Sequence, residues 1–149
     1  MVLVKHFKEL RVYQKAFEAA TRIYKLSKRW PKEERYSLTD QIRRSSRSVC
    51  ANIAEAWRKR RYPAHFVSKL SDSDAEAAET QVWLDLALDC GYINQEDHAS
   101  LYATYENVAG GLVKMMANPN AWCGPSKLRE PSPTYYPHTP TPPYPTSEE

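Results

Sequence analysis

Five arginines in one stretch of this 149-residue chain carry the chemistry it offers: Arg43, Arg44, Arg47, Arg58 and Arg61. A guanidinium is a planar fork of N–H donors that matches phosphate oxygens and stays charged at any working pH. A row of such forks suits the backbone of RNA or DNA. Projected at 100° per residue with Arg43 at zero, Arg47 falls at about 40°, Arg58 at about 60°, Arg61 near zero and Arg44 at about 100°. On the same projection Leu38, Ile42, Val49 and Ile53 fall between about 220° and 280°. The arginines are thus expected opposite the apolar face, with Ala51 and Ala54 between them leaving room for close approach. Tyr36, Trp57 and Tyr62 lie near in sequence and are candidates to stack on bases, although Trp57 projects to the edge of the core face, where packing competes. Lys59 and Arg60 are expected only to finish the helix, whose dipole favours cations at that end. Acids are scarce here: Asp40 and Glu55 alone.

Other chemistry is missing. A di-iron bundle needs inward carboxylates plus Glu-x-x-His on two helices, and none of Glu55, Glu76 and Glu79 has a His three residues on. His6, His65, His98 and His138 lie in four separate places, so no metal site is expected. No P-loop, GxGxxG or GxSxG occurs. Cys50 is expected to be a small packed residue rather than a nucleophile. Glu55 and Glu79 are expected to pair with arginines, within the bundle or across a subunit contact, rather than to do acid–base work. No catalytic residue and no cofactor is expected, and the chain reads as a non-enzyme.

The elements that must position the arginines read as all-helical. Gly is scarce, and of 11 Pro all but Pro31 and Pro63 lie at or beyond position 119. Four segments carry apolar residues at helical spacing. The first runs from about Leu10 to Arg29 (Val12, Ala16, Ala19, Ile23, Leu26) and is broken by Pro31. The second runs from Leu38 to Arg61 behind an S-x-x-D start at Ser37, with a core face of Leu38, Ile42, Ser45/Ser46, Val49, Ile53 and Ala56/Trp57. The third opens at Pro63 and is stopped by Gly91, with Phe66, Leu70, Ser73, Ala77, Leu84 and Leu88 as its buried stripe. The fourth starts at Asn94 and carries Leu101/Tyr102, Tyr105, Val108, Leu112 and Met115/Met116. Gly110-Gly111 is expected to weaken it. Short links between long helices predict an antiparallel up-down-up-down four-helix bundle over residues 1–117. Residues 118–149 form a Pro/Thr/Tyr tail, expected to be disordered and to stay out of the core.

Charge is split along the chain. Residues 1–62 sum to +11 and residues 63–149 to −8, which predicts one basic and one acidic surface. No apolar run approaches the roughly 18 residues of a membrane span. The start "MVLVKHFKEL" lacks a signal-peptide core, and three cysteines in no CxxC pair suit a reducing compartment, so a cytoplasmic location is expected.

The ordered series "VYQKA…PKEERYSLTDQIRRS…ANIAEA…AETQ…GYI", over about residues 7–117, resembles the small bacterial four-helix-bundle proteins encoded within intervening sequences of 23S ribosomal RNA genes. The resemblance implies a closed homo-oligomer, most often a pentamer, with a basic surface suited to nucleic acid and no catalytic residues. The chain is also similar in architecture to the accessory bundle protein of diversity-generating retroelements, which works with a reverse transcriptase and nucleic acid. Cys50 stands where the family commonly has Pro, and Ala56 where it commonly has Gly, which should make the second helix more regular here.

Two readings follow. In the first, an oligomer binds RNA or DNA through the arginine stripe. In the alternative, a structural or adaptor oligomer docks its basic face on the acidic face of a neighbouring subunit or protein partner, with Asp72, Glu76 and Glu79 as candidates.

Overall fold

The computed structural model describes residues 4–124. They form α1 (Arg11–Ser27), α2 (Leu38–Arg58), α3 (Pro63–Asp89), α4 (Gln95–Ala117) and a single turn, α5 (Asn120–Cys123). Short 3-10 turns at Phe7–Glu9 and Lys32–Glu34 precede α1 and α2, and no strand occurs among the described residues. Each long helix packs on the next, and α1 returns to α4. With links this short, the result is the expected antiparallel four-helix bundle.

The helix ends follow local chemistry. Ser37 does not cap α2 with its side chain; the Leu38 N–H donates instead to Glu34 Oε2 at 3.0 Å. The 3-10 turn carries that carboxylate to the helix start, so the acid does the hydroxyl's work. Helix α2 stops at Arg58, three residues short of the expected Arg61. Pro63 disfavours helical angles at Tyr62, which is extended (φ −120°, ψ 101°), and the chain turns through a Tyr62 N–H to Lys59 carbonyl bond of 3.0 Å. Gly91 ends α3 with φ 77°; its N–H bonds the Leu88 carbonyl, and the Tyr92 N–H bonds that of Ala87. Asn94 caps α4, its Oδ1 accepting from the Asp97 N–H at 2.7 Å.

The core is the set of stripes read from spacing. Val12, Ala16, Ala19 and Ile23 meet Leu38, Ile42, Val49, Ile53, Ala56 and Trp57 across the bundle. Leu26, Leu88, Tyr102 and Met116 are only half-buried, while Thr80, Gln81 and Ala87 take buried places on α3. The seam between α2 and α3 is lined by small residues that hydrogen-bond across it. Ser73 Oγ donates to the Val49 carbonyl at 2.8 Å, and the Thr80 and Ser45 hydroxyls lie 2.9 Å apart. Each of these seam hydroxyls is thereby satisfied, which removes the penalty of burying it.

Residues just past α4 do not leave the bundle. Trp122 of α5 meets buried Trp57 edge-on, with ring centroids 6.4 Å apart, and α5 thus lies in a stretch expected to stay apart from the core. Of the tail expected to be disordered over residues 118–149, residues 125–149 lie outside those described.

Gly110 and Gly111 differ in kind. A Cβ on Gly111 would lie 2.5 Å from Val12 Cγ1, so this glycine lets α4 approach α1; a Cβ on Gly110 would meet nothing within 4 Å. In chemical denaturation, Gly110→Ala should therefore gain up to about 1 kcal/mol. Gly111→Ala should lose about 1–3 kcal/mol through overpacking. Tyr105 offers a second test. Its hydroxyl is buried with no hydrogen-bond partner, and burial raises its pKa. Tyr105→Phe removes that polar group and should raise stability by about 1 kcal/mol in the same measurement.

Candidate nucleic-acid interface

The arginines take their positions from the way α2 seats its apolar stripe. With Ile42, Val49 and Ile53 fully buried, the opposite side of the helix faces outward. Arg44, Arg47 and Arg58 are exposed there, with exposed Ala51 between them. At 1.5 Å per residue, Arg44 to Arg58 spans about 21 Å. Arg43 departs from the projected stripe. Its Nε donates to Ser27 Oγ of α1 at 2.8 Å, and its Cζ lies 4.8 Å from the centroid of the Tyr24 ring, so the side chain is half-buried against α1. Arg61 is exposed but lies in the turn beyond α2, off the helical projection. The outward row is thus Arg44, Arg47 and Arg58, flanked by Arg43 on the α1 side and by Arg61 beyond the end.

Of the candidate stacking residues, Tyr36 stands clear at 86% exposure, with Arg35 Cζ 5.6 Å from its ring centroid. Trp57 is core, and Arg60 lies across its ring at 3.5 Å while its Nε donates to the Trp57 carbonyl at 2.8 Å. Burial lowers the Arg60 pKa, and this residue closes the helix end, as expected for it. Tyr62 is half-buried and packs on His65.

Tyr24 gathers cations. Lys28 Nζ lies 4.8 Å and Arg47 Cζ 5.6 Å from its ring centroid, in addition to Arg43. No carboxylate among the described residues pairs with any of the three. Cation–π attraction holds them in place but leaves their charge intact. Alongside runs an apolar groove of about 470 Å³ between α1 and α2, walled by Tyr13, Phe17 and Tyr24, floored by Ala51 and Ala54, and bordered by Arg47. Sequence reasoning anticipated the two alanines and missed the aromatic wall. Its signal was present: Tyr13, Phe17, Ala20 and Tyr24 form a second apolar stripe on α1 at helical spacing.

On the α3 side the charges oppose one another. Within the bundle Glu55 pairs with Lys69 at 2.8 Å rather than with an arginine, because α3 sets Lys69 opposite it; Asp72 lies 3.9 Å from the same ammonium. The hydrogen bond that Lys69 donates to the Glu55 carboxylate raises the Lys69 pKa. Arg44 lies 4.0 Å from Asp40 and lines a cleft of about 200 Å³ that also holds Glu76 and Glu79. Partial desolvation, and then the neighbouring Glu79, raise the Glu76 pKa. Cys50, half-buried in the groove wall, has its thiol pushed up to about 11 by burial, which leaves it little thiolate at neutral pH. Among the described residues, no cluster of three or more His, Cys, Asp and Glu is placed to hold a metal ion, and no helix is long and apolar enough to cross a membrane.

A four-helix bundle with a basic α1–α2 side defines the class. Within that class the chain belongs to the 23S rRNA-intervening sequence protein family, which matches residues 8–114. A solved structure from Bacteroides thetaiotaomicron, a protein of unknown function from the S23 ribosomal protein family, is similar at 33% identity and a TM-score of 0.64. The match covers 71% of this chain and 95% of that one. A search of curated proteins found no match.

The raised Glu76 pKa has a defined sign. A carboxyl whose folded pKa exceeds its unfolded value favours the folded state when protonated, so ionisation costs stability as pH rises through that range. Glu76→Gln should thus raise the thermal midpoint at pH 7, and the gain should fade as pH falls below about 4, where both states protonate. Thermal melts of the variant and wild type across pH 3–8 check this.

Proposed function

We propose that this protein is a non-enzymatic, self-associating bundle that binds the phosphate backbone of RNA or DNA through the outer surface of α2. The observation that carries the reading is the line of Arg44, Arg47 and Arg58, three exposed guanidinium groups on one side of one helix. Phosphate contacts of this kind position a polymer without reading its bases, so little sequence preference is expected. The family description refers to intervening sequences of 23S rRNA, which makes ribosomal RNA the first polymer to test. A cytoplasmic location fits three free thiols.

Self-association draws on a different surface. The groove beside Tyr13, Phe17 and Tyr24 leaves large apolar groups in water, with Phe17 56% exposed. The outer ridge of α3 offers exposed Ala75, Ala78, Val82 and Leu86, flanked by Asp72 and Glu79. A second copy can seat that ridge in the groove through these apolar groups, which leaves Arg47 to the nucleic acid. Such a contact is heterologous and gives a ring where its rotation closes; the family resemblance implies five members. In the adaptor reading Arg47, which borders the groove, meets the acids instead and serves the subunit contact rather than a nucleic acid.

The combined variant Arg44→Gln, Arg47→Gln, Arg58→Gln and Arg61→Gln separates the two. For wild type, the log–log salt slope of binding to 23S rRNA fragments or duplex DNA should be roughly −3 to −4 per engaged subunit, one step per phosphate neutralised. The variant should lose binding with helicity and sedimentation unchanged. Binding that persists in the variant rejects the α2 assignment. A variant that falls to monomers, with no binding by wild type, selects the adaptor.

A further inference from the structure

We propose that the corner where α1 hands over to α2 is a phosphate site, and that its ligand is a nucleotide phosphate. A cleft of about 290 Å³ opens there, bounded by the last turn of α1, the link through Trp30 and Pro31, and the first turns of α2. Four cations line it: Lys28, Lys32, Arg35 and Arg43. No carboxylate lines it, and none among the described residues pairs with any of the four. Nearby acids are turned to other work or open to water. Glu34 accepts from the Leu38 N–H and from the Tyr92 hydroxyl, Asp40 faces Arg44, and Glu33 is exposed. The C-terminal end of α1 and the N-terminal end of α2 meet here with opposite partial charges, so the four full charges set the potential.

Arg43 gives the cleft its specificity. Its Nε donates to Ser27 Oγ at 2.8 Å and its Cζ lies over the Tyr24 ring, 4.8 Å from the centroid, which restrains the guanidinium at two points. Both terminal nitrogens remain without a hydrogen-bond partner among the described residues. A fork held by its stem, with two parallel N–H groups to spare, is the arrangement that grips two oxygens of one phosphate. Lys28, Lys32 and Arg35 add charge around it, and the hydroxyl-bearing Thr39 completes the lining. Tyr36 follows Arg35 and projects into solvent beside that guanidinium, placed to take a base on its open face. This site lies apart from the α2 row and does not rest on that row's role.

The test uses the full-length protein at low salt, with inorganic pyrophosphate as the first probe and the Arg43 Nε–H NMR signal as the readout. Pyrophosphate should shift that signal saturably. Lys32→Gln with Arg35→Gln, both exposed side chains, should weaken binding about tenfold or more, and Arg44→Gln with Arg58→Gln should leave it within about twofold. No shift of the Arg43 signal overturns the proposal, as does equal weakening by the two pairs, which would mean diffuse attraction to a basic surface. Arg43→Lys, which keeps the charge and loses the fork, should also weaken binding; unchanged binding rejects the role given to the fork. A 5′-phosphorylated oligothymidylate then identifies the source of the phosphate. Tighter binding than pyrophosphate, lost in Tyr36→Ala only for the oligomer, assigns the site to a polymer; affinity equal to that of pyrophosphate and insensitive to Tyr36 assigns it to free phosphate compounds and overturns the nucleotide ligand. Pyrophosphate binding that survives loss of the α2 row separates this site from the reading above.

Discussion

The angular setting of α2 about its own axis decides what this bundle can present to a partner. That setting is held by the seam with α3, where Ser45, Ser73, Ala77 and Thr80 let two backbones approach and the hydroxyls bond across the gap. Larger residues there would push the helices apart, and unpaired hydroxyls would carry their full desolvation cost. With the seam in place, Ile42, Val49 and Ile53 point inward, and three arginines have nowhere to go but water. Surface chemistry here is a by-product of how the interior closes.

The charge split along the chain is only partly consumed within the fold. Lys69 takes up Glu55 and Asp72, Arg22 approaches Asp97 at 3.8 Å, and His98 meets Asp85 at 2.7 Å. These pairs belong to exposed or half-exposed groups and contribute little to stability each. Among the described residues, the cations around Tyr24 and the α1–α2 link have no such partners. Like charges held together on a surface repel one another, and an arrangement of this kind favours association with anions. The Glu76–Glu79 cleft is a smaller counterpart of opposite sign, partly offset by Arg44.

The bundle was legible because a four-helix core repeats one simple rule. Val12, Ala16, Ala19 and Ile23, like Leu38 through Trp57 on α2, declare their face through spacing alone. Helix ends were less legible, since a cap depends on atoms brought in from elsewhere: Glu34 displaced Ser37 at the start of α2, and Pro63 stopped it before Arg61. A projection of α2 placed Arg44, Arg47 and Arg58 on the outer side but could not see that Tyr24 and Ser27 of α1 wait beside Arg43. The cation-lined cleft was illegible for the same reason. It is assembled from the end of one helix, a link and the start of another, and no periodicity describes a corner.

Gly111 and Val12 share one small volume between α1 and α4. The two positions are about a hundred residues apart, yet neither can be altered in size without regard to the other. Over evolutionary time such a notch acts as a ratchet. A bulkier residue at 111 can enter only after 12 has shrunk, so drift along this chain would have to pass through an underpacked intermediate before regaining a full interior.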